Sequence, residues 1–478
     1  MNNTPSPFEL WVLDVNDFFW SKLLIVLLIG VGLYFTFRSK FLQVRLIPEM
    51  LRVLMEGRSS KKGITPFQAF CISMAARVGT GNITGIAIAI HLGGPGSIFW
   101  MWILAIISSV SAFIESTLAQ IYKIKDGDGF RGGPAYYMEK GLKKRWLGIL
   151  FAILITLSFA LIFNAVQSNT ITLAFEQAFD TNRFVVGIIM VVCFAFIIFG
   201  GIKRIAKMSE YIVVILAVLY IAIAVLVVVM NITQLPGVIS LIVKNAFGFE
   251  QVAGGTLGAI VMNGIKRGLF SNEAGMGSAP NAAATAVTSH PVKQGLIQAF
   301  GVLTDTLIIC SSTAFIVLFS NVYKTTNLSG IELTQASLNT HIGSWASAML
   351  AIMIFLFAFS TLIGNYYYGE TNIEFLKGGK VWLNVYRVAV LIMILFGSVA
   401  KISLVWNLAD LFMGLMVVVN LLSILFLSKI AFAALKDYMR QRKQGKDPVF
   451  YRDSIPGLDG IEGWEDSPSK TNLEKHNA

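Results

Sequence analysis

The chain is poor in charge. Asp, Glu, Lys and Arg make up 14% of its 478 residues, where a soluble domain carries roughly 25%. That scarcity excludes an ordinary soluble enzyme, a nucleic-acid binder and a disordered protein. Cysteine is scarce as well. Cys71, Cys193 and Cys310 all fall in apolar runs, so they read as packing residues and not as a disulfide framework. The four histidines, at 91, 290, 341 and 476, are dispersed and offer no metal-ligand spacing. The first 17 residues carry Glu9, Asp14 and Asp17 but no Lys or Arg. A cleavable signal peptide needs a basic start, so the first apolar block is expected to be a retained helix.

Apolar residues are abundant, at 55%, with a mean hydropathy of +0.69. They come in long blocks such as SEYIVVILAVLYIAIAVLVVVM at 209–230. A bilayer-spanning helix needs about 20 mostly apolar residues. Eleven such blocks are expected, near 18–37, 66–91, 97–122, 147–171, 185–201, 209–231, 254–289, 296–320, 346–369, 384–400 and 406–427. With the amino terminus outside, 29 of the 38 Lys and Arg fall in inner segments and 5 in outer ones. That is a positive-inside bias, and it holds only for an odd number of spans. The +11 net charge therefore marks cytoplasmic loops. Residues 41–55 mix apolar and basic side chains and are expected to lie in the interface plane. The polar end beyond about 432 reads as a solvated, partly disordered tail.

Two expected spans are interrupted. At 71–91, Gly79, Thr80, Gly81, Asn82 and Gly85 sit in mid-span. Gly81 and Gly85 would also suit close helix packing. The other reading is an unwound segment, which survives in a bilayer only where its backbone groups line a cavity. At 263–285, Lys266, Arg267, Glu273 and several small polar residues interrupt the second run. A cytoplasmic loop there would break the charge alternation downstream, so a second discontinuous helix, broken near Ser271–Ser278, is the better reading. Residues 66–231 and 254–427 then each hold five spans that open with a broken one. Five is odd, so the halves are inverted, as in secondary transporters with a site at the midplane. Half-helix amino termini favour a carboxylate and exposed carbonyls a cation. An amino acid moved with Na⁺ fits both. The expected division is an amino-terminal helix and interfacial segment (1–65), a first repeat (66–231), an external connector (232–253), a second repeat (254–427) and a cytoplasmic tail (428–478).

Specific stretches narrow this further. They are AARVGTGNITGIA (75–87), LGGPGSIFWMW (92–102), ESTLAQIYK (115–123), DGFRGGPAYYMEKGL (128–142), KRGLFSNEAGMGSAPNAAATA (266–286), HPVKQGLIQAFGVLTDT (290–306) and DPVF (447–450). In these the chain resembles the alanine-or-glycine:cation symporter family from end to end. That family is similar in fold to the sodium-coupled leucine transporter. The resemblance implies an all-α membrane protein with ten core spans in a five-plus-five inverted repeat, here preceded by one extra helix. It implies a substrate site at Gly79, Thr80, Gly81 and Asn82, with Gln167, Ile171, Ser271, Asn272, Gly275, Met276 and Thr361 around it. It implies a Na⁺ site formed by Ala75, Val78 and Phe357 carbonyls with the Ser360 and Thr361 hydroxyls. Those hydroxyls could equally bond back to their own helix, and Gln167 could serve as interhelical glue.

Charged residues within spans are functional candidates by default. Arg77, Glu115, Arg267, Glu273 and Asp305 are such residues. Arg77, Arg267, Glu273 and Asp305 read as gate or structural ion pairs, with a proton relay through Glu273 or Asp305 as the alternative. No nucleophile–base pair or metal cluster marks an enzyme, and no organic cofactor is expected. The expectation is a Na⁺-coupled importer of alanine or glycine, monomeric, in a bacterial plasma membrane, with its carboxyl terminus in the cytoplasm. A proton-coupled permease of the same fold and, further off, a channel are the alternatives.

Overall fold

The computed structural model describes residues 6–56, 63–127, 129–198, 202–249, 256–376 and 379–468, without the side chains of 202–213. Arg58, Lys61, Lys62, Lys203, Arg204, Lys207, Lys377, Lys470 and Lys475, which contribute to the inward charge bias, lie in whole or in side chain outside the described residues. So does the expected boundary at 253–254.

Helices α1 (Pro7–Arg38), α5 (Gly96–Ile121), α7 (Arg145–Phe179), α13 (Pro291–Ser320), α15 (Trp345–Phe375), α16 (Lys380–Val399) and α17 (Ile402–Lys443) are each long and apolar enough to cross a bilayer. The remaining expected spans coincide with shorter or interrupted helices. Helix α8 is Arg183–Ile198, and α9 (Ile202–Met230) bends by 76° into α10 (Leu235–Ala246). The first broken span is α3 (Pro66–Arg77) followed by α4 (Gly81–Gly93). The second is α11 (Leu257–Asn272) followed by α12 (Ala279–Ala283). This arrangement is consistent with eleven crossings. Helices α2 (Ile47–Glu56), α6 (Pro134–Lys140) and α14 (Gly330–Ile342) lie between spans.

Local sequence explains the starts of these helices. Ser6 and Glu9 form a capping box ahead of Pro7, and Thr65 and Gln68 do the same ahead of Pro66. His290 caps α13, its Nδ1 accepting from the Val292 N–H at 3.2 Å. Close helix crossings rest on small residues. A Cβ on Gly264 would lie 2.4 Å from the Ser97 carbonyl oxygen, and one on Gly397 2.3 Å from that of Ala165. Such approaches replace hydrophobic burial as the means of joining helices in lipid.

Among the described residues, the chain departs from all-α at a small hairpin, β1 (Ile124–Asp126) against β2 (Gly129–Arg131). A second departure is larger. The tail expected to be solvated is packed as far as residue 468, with Phe450, Ile461 and Trp464 buried. Apolar residues spaced through a polar segment supply the anchors that its average polarity hides. The interfacial segment also packs inward. Met50 and Val53 are buried, and Glu49 accepts from Arg52 and Tyr438 of α17. Burial pushes the Glu49 carboxyl up, but the Arg52 and Tyr438 hydrogen bonds and the Arg52 and Arg442 charges outweigh it and hold it at about 2.

Candidate functional site

The first break begins where α3 ends at Arg77. Val78 is extended (φ −79°, ψ 95°), which takes the chain out of the helix and turns nearby carbonyls away from helical partners. Thr361 on α15 fills the gap. Its Oγ1 lies 2.8 Å from the Ala75 carbonyl oxygen, 3.3 Å from that of Val78 and 3.2 Å from that of Phe357. One hydroxyl carries one proton, so it can satisfy only one of these three acceptors fully. The oxygens that remain form an electron-rich cluster suited to a hard cation. Ser360 Oγ donates to the Phe357 carbonyl at 2.7 Å, so this hydroxyl bonds back to its own helix while standing beside the cluster.

Gly79 faces the same place. A Cβ there would lie 2.4 Å from Thr361 Oγ1 and 3.1 Å from Gln167 Oε1. Gln167 Oε1 accepts from the Thr80 N–H at 3.3 Å, and Asn82 Oδ1 accepts from the Gly79 N–H at 3.1 Å. The break is therefore held by side chains from α7, α15 and α4. Gly81 brings the second broken span close, since a Cβ on it would meet Ser271 Cα at 3.0 Å and Phe270 at 3.1 Å. The Phe270 ring stacks obliquely between Phe163 and Trp406, with 4.7 Å between centroids on each side. Thr80, Asn82, Gln167, Ile171, Ser271, Met276, Ser360 and Thr361 are all buried. These side chains are out of contact with bulk solvent.

Asp305 joins the two breaks. Asn82 Nδ2 donates to its Oδ1 at 2.6 Å, and Ser271 Oγ to its Oδ2 at 2.7 Å. Two other expected site residues, Asn272 and Gly275, turn elsewhere. Asn272 donates to Thr306 Oγ1 and accepts from the Ala274 N–H. The Gly275 and Gly277 N–H groups donate to the two carboxylate oxygens of Glu115 at 3.2 and 3.1 Å. Asn420 on α17 donates to Glu115 Oε2 at 2.7 Å and to the Gly275 carbonyl at 2.9 Å, and Tyr137 donates to Asn420. Gly275 and Gly277 have φ of +85° and +84°, a conformation that glycine adopts without strain. The second break is thus satisfied largely from within the protein.

Of the four residues expected at gates or in ion pairs, Arg267 makes an ion pair, with Asp410 on α17 at 2.5 Å. Its guanidinium lies over the Trp406 ring at 4.6 Å, and Lys266 reaches the same carboxylate at 3.8 Å. Among the described residues, Arg77, Glu273 and Asp305 have no ion-pair partner within 4.0 Å. Glu273 instead accepts from Ser278 Oγ at 2.5 Å, and Asp305 is taken by the neutral donors Asn82, Ser271 and, at 3.9 Å, Cys310. Arg77 is 1% exposed and feels Glu115, Glu273 and Asp305 only at longer range. Sequence reasoning missed Asp410, although the rule that singled out Arg267 applies to an acid inside the span 406–427. Nothing local marks Asn420 or Trp406.

Two broken helices meeting in a buried interior, with loose carbonyls at one break, define a membrane transport protein. The chain belongs to the sodium:alanine symporter family, whose sequence model matches residues 6–452. It is 70% identical over 464 residues, 97% of each chain, to the probable sodium/glutamine symporter GlnT of Bacillus subtilis (strain 168). It is 58% identical over 451 residues to the amino-acid carrier protein AlsT of the same organism, covering 94% of this chain and 96% of that one. Its fold is similar to that of a Na⁺-coupled sialic acid symporter in a substrate-bound outward-open state, with a TM-score of 0.50 at 15% identity over 86% of each chain. The family is one of sodium-coupled transporters and not of enzymes.

Removing one partner from a buried ion pair costs about 3–5 kcal/mol. Arg267→Ala should lower the thermal unfolding midpoint of the detergent-solubilised protein, and Asp410→Ala added to it should recover part of the loss. Strictly additive losses would show that the two groups do not couple.

Proposed function

We propose that this protein imports a small neutral amino acid together with Na⁺ by alternating access across a bacterial plasma membrane. The carrying observation is the cluster of oxygens around Thr361 at the first break. Ala75, Val78 and Phe357 supply carbonyls, and Ser360 and Thr361 supply hydroxyls. No carboxylate belongs to the cluster, which favours Na⁺ over a proton as its occupant. A bound ion would replace the contacts that Thr361 now shares among three carbonyls. It would fix the break in the shape that presents the amide groups of 79–81 to a substrate carboxylate. Ion and substrate would then bind cooperatively.

Gln167, Ile171, Ser271 and Met276 surround the substrate in this reading, with Phe270 and Trp406 above its side chain. Asn272 and Gly275 shape the second break without touching the ligand. The Arg267–Asp410 pair forms the outer closure. Alternating access proceeds by one helix bundle rocking against the rest of the two inverted repeats, 66–231 and 254–427, with the amino terminus outside. Alanine and glycine are the substrates that the family reading favours. The 70% identity to a probable glutamine symporter supports a second reading, in which a side-chain amide is held. Trp406 Nε1 and Thr80 Oγ1 are buried without a hydrogen-bond partner, and such an amide could engage them.

Labelled alanine uptake into proteoliposomes should vanish when Na⁺ is replaced by K⁺ at a fixed pH gradient. Uptake that persists would favour the proton-coupled alternative. Competition by unlabelled alanine, glycine, D-alanine, serine and glutamine should then order the substrates, and glutamine competing most strongly would establish the second reading. Thr361→Ala should raise the Na⁺ concentration for half-maximal uptake by roughly 10–100-fold, the scale of losing a partner at a metal site. An unchanged Na⁺ requirement would place the ion elsewhere. Gly81→Val should abolish uptake by forcing the second broken span away, while normal alanine affinity would contradict the close approach.

A further inference from the structure

The packed carboxyl-terminal segment suggests a role that the transport site alone does not explain. After α17 ends at Lys443, the chain turns at Gly445 (φ +73°). Gln441 then holds Val449 from both sides, accepting from its N–H at 3.0 Å and donating to its carbonyl at 2.9 Å. The segment next crosses the residues that follow the second broken span. Phe450 N–H donates to the Ser289 carbonyl at 2.8 Å, Ser289 Oγ donates to the Pro448 carbonyl at 2.9 Å, and Asp447 pairs with Lys293 at 2.7 Å.

Its far end is anchored on α5 and α6. Trp464 Nε1 donates to the Gln120 carbonyl at 2.9 Å, and Glu462 pairs with Lys140 at 2.7 Å. The Trp464 ring lies 4.5 Å from the Lys123 ammonium, which also sits 3.9 Å from the Phe130 ring. Lys123 is 1% exposed and donates to Gln120 Oε1 and to the Ala286 carbonyl. Cation–π contacts strengthen when the cation is desolvated, as here.

The loop beneath is the exit from the second broken span. Gln120 Nε2 donates to the carbonyls of Ala283 and Ala286. The Val287 N–H donates to the Ile64 carbonyl at 2.9 Å, which ties this loop to the segment leading into α3. The inner ends of both broken spans are therefore clipped together, and the carboxyl-terminal segment lies over the clip.

We propose that residues 447–466 form a strap that holds the inner side of the transporter shut, and that the strap must lift before substrate can leave inward. This rests on the transport reading for its direction, but the closure itself can be tested without transport. Ala286 is fully buried under the strap. Ala286→Cys, in a background with the three native cysteines replaced by serine, is treated with a maleimide in detergent, and labelling at position 286 is followed by peptide mass spectrometry. Adding Trp464→Ala should speed labelling about tenfold or more by raising the locally open population, and Trp464→Phe, which keeps a ring over Lys123, should restore most of the protection. Asp447→Asn is a milder second variant that should act in the same direction. Equal labelling rates in all variants would overturn the strap.

Its need to lift is tested by Lys293→Cys with Asp447→Cys, joined through two disulfides by a short bis(methanethiosulfonate) reagent, which expels methanesulfinate at each thiol and is cleaved again by a thiol reductant. Uptake present before cross-linking should stop afterwards and return on reduction. Uptake that continues through the cross-link would overturn the gating role. Absence of uptake before cross-linking would instead count against the transport reading, leaving the labelling result to decide closure.

Discussion

The structure depends on a backbone that cannot satisfy itself. At the first break, carbonyl oxygens near residues 75–78 lose the regular helical pattern inside an apolar interior, where each unmet polar group costs several kcal/mol. Thr361 answers with a single hydroxyl placed within 3.3 Å of two of them, those of Ala75 and Val78, and of the Phe357 carbonyl on its own helix. One proton among three acceptors leaves attraction for positive charge. The close packing of Gly79 against Thr361 and Gln167, and the reach of Asn82 and Gln167 to the amides, follow from holding the chain in that shape.

The two breaks are not equivalent. Around the second, Glu115 receives two backbone N–H groups and Asn420 bridges that carboxylate to the Gly275 carbonyl. A side-chain carboxylate from α5 thus does internally what a substrate carboxylate is proposed to do at the first break. Asp305 couples the two by accepting from Asn82 on one side and Ser271 on the other. Asn82, Asp305 and Ser271 thus form a continuous hydrogen-bonded path between the two breaks. Arg267 pairs with Asp410 beside Trp406 on the side of the second break that faces α17, and the proposed strap lies over the loop that leaves that break.

Much of the architecture was legible in the sequence because a membrane magnifies the relevant signals. Eleven apolar runs stand out, and Gly79–Asn82 and Ser271–Ser278 are conspicuous for interrupting them. The oxygens around Thr361 were reachable through the family resemblance, and the structure brings all five of those residues together. Pairings were not legible. Arg267 and Asp410 are 143 positions apart and Glu115 and Asn420 are 305 apart, so no local pattern links them. Asn272 and Gly275 lie in the expected break, but the turn geometry directs them away from the first. The tail misled for a different reason. Its average polarity signalled a solvated end, while folding depends on three spaced side chains, Phe450, Ile461 and Trp464.

The cation site proposed at the first break, selective for Na⁺, can be tested by equilibrium stability without any transport assay. A ligand that binds the folded state alone raises its stability with the logarithm of its concentration above the dissociation constant. The thermal unfolding midpoint of the purified wild-type protein should therefore rise in a saturable way with NaCl, at constant ionic strength and without substrate, and should not rise with KCl or choline chloride. Equal midpoints in the three salts would contradict the account.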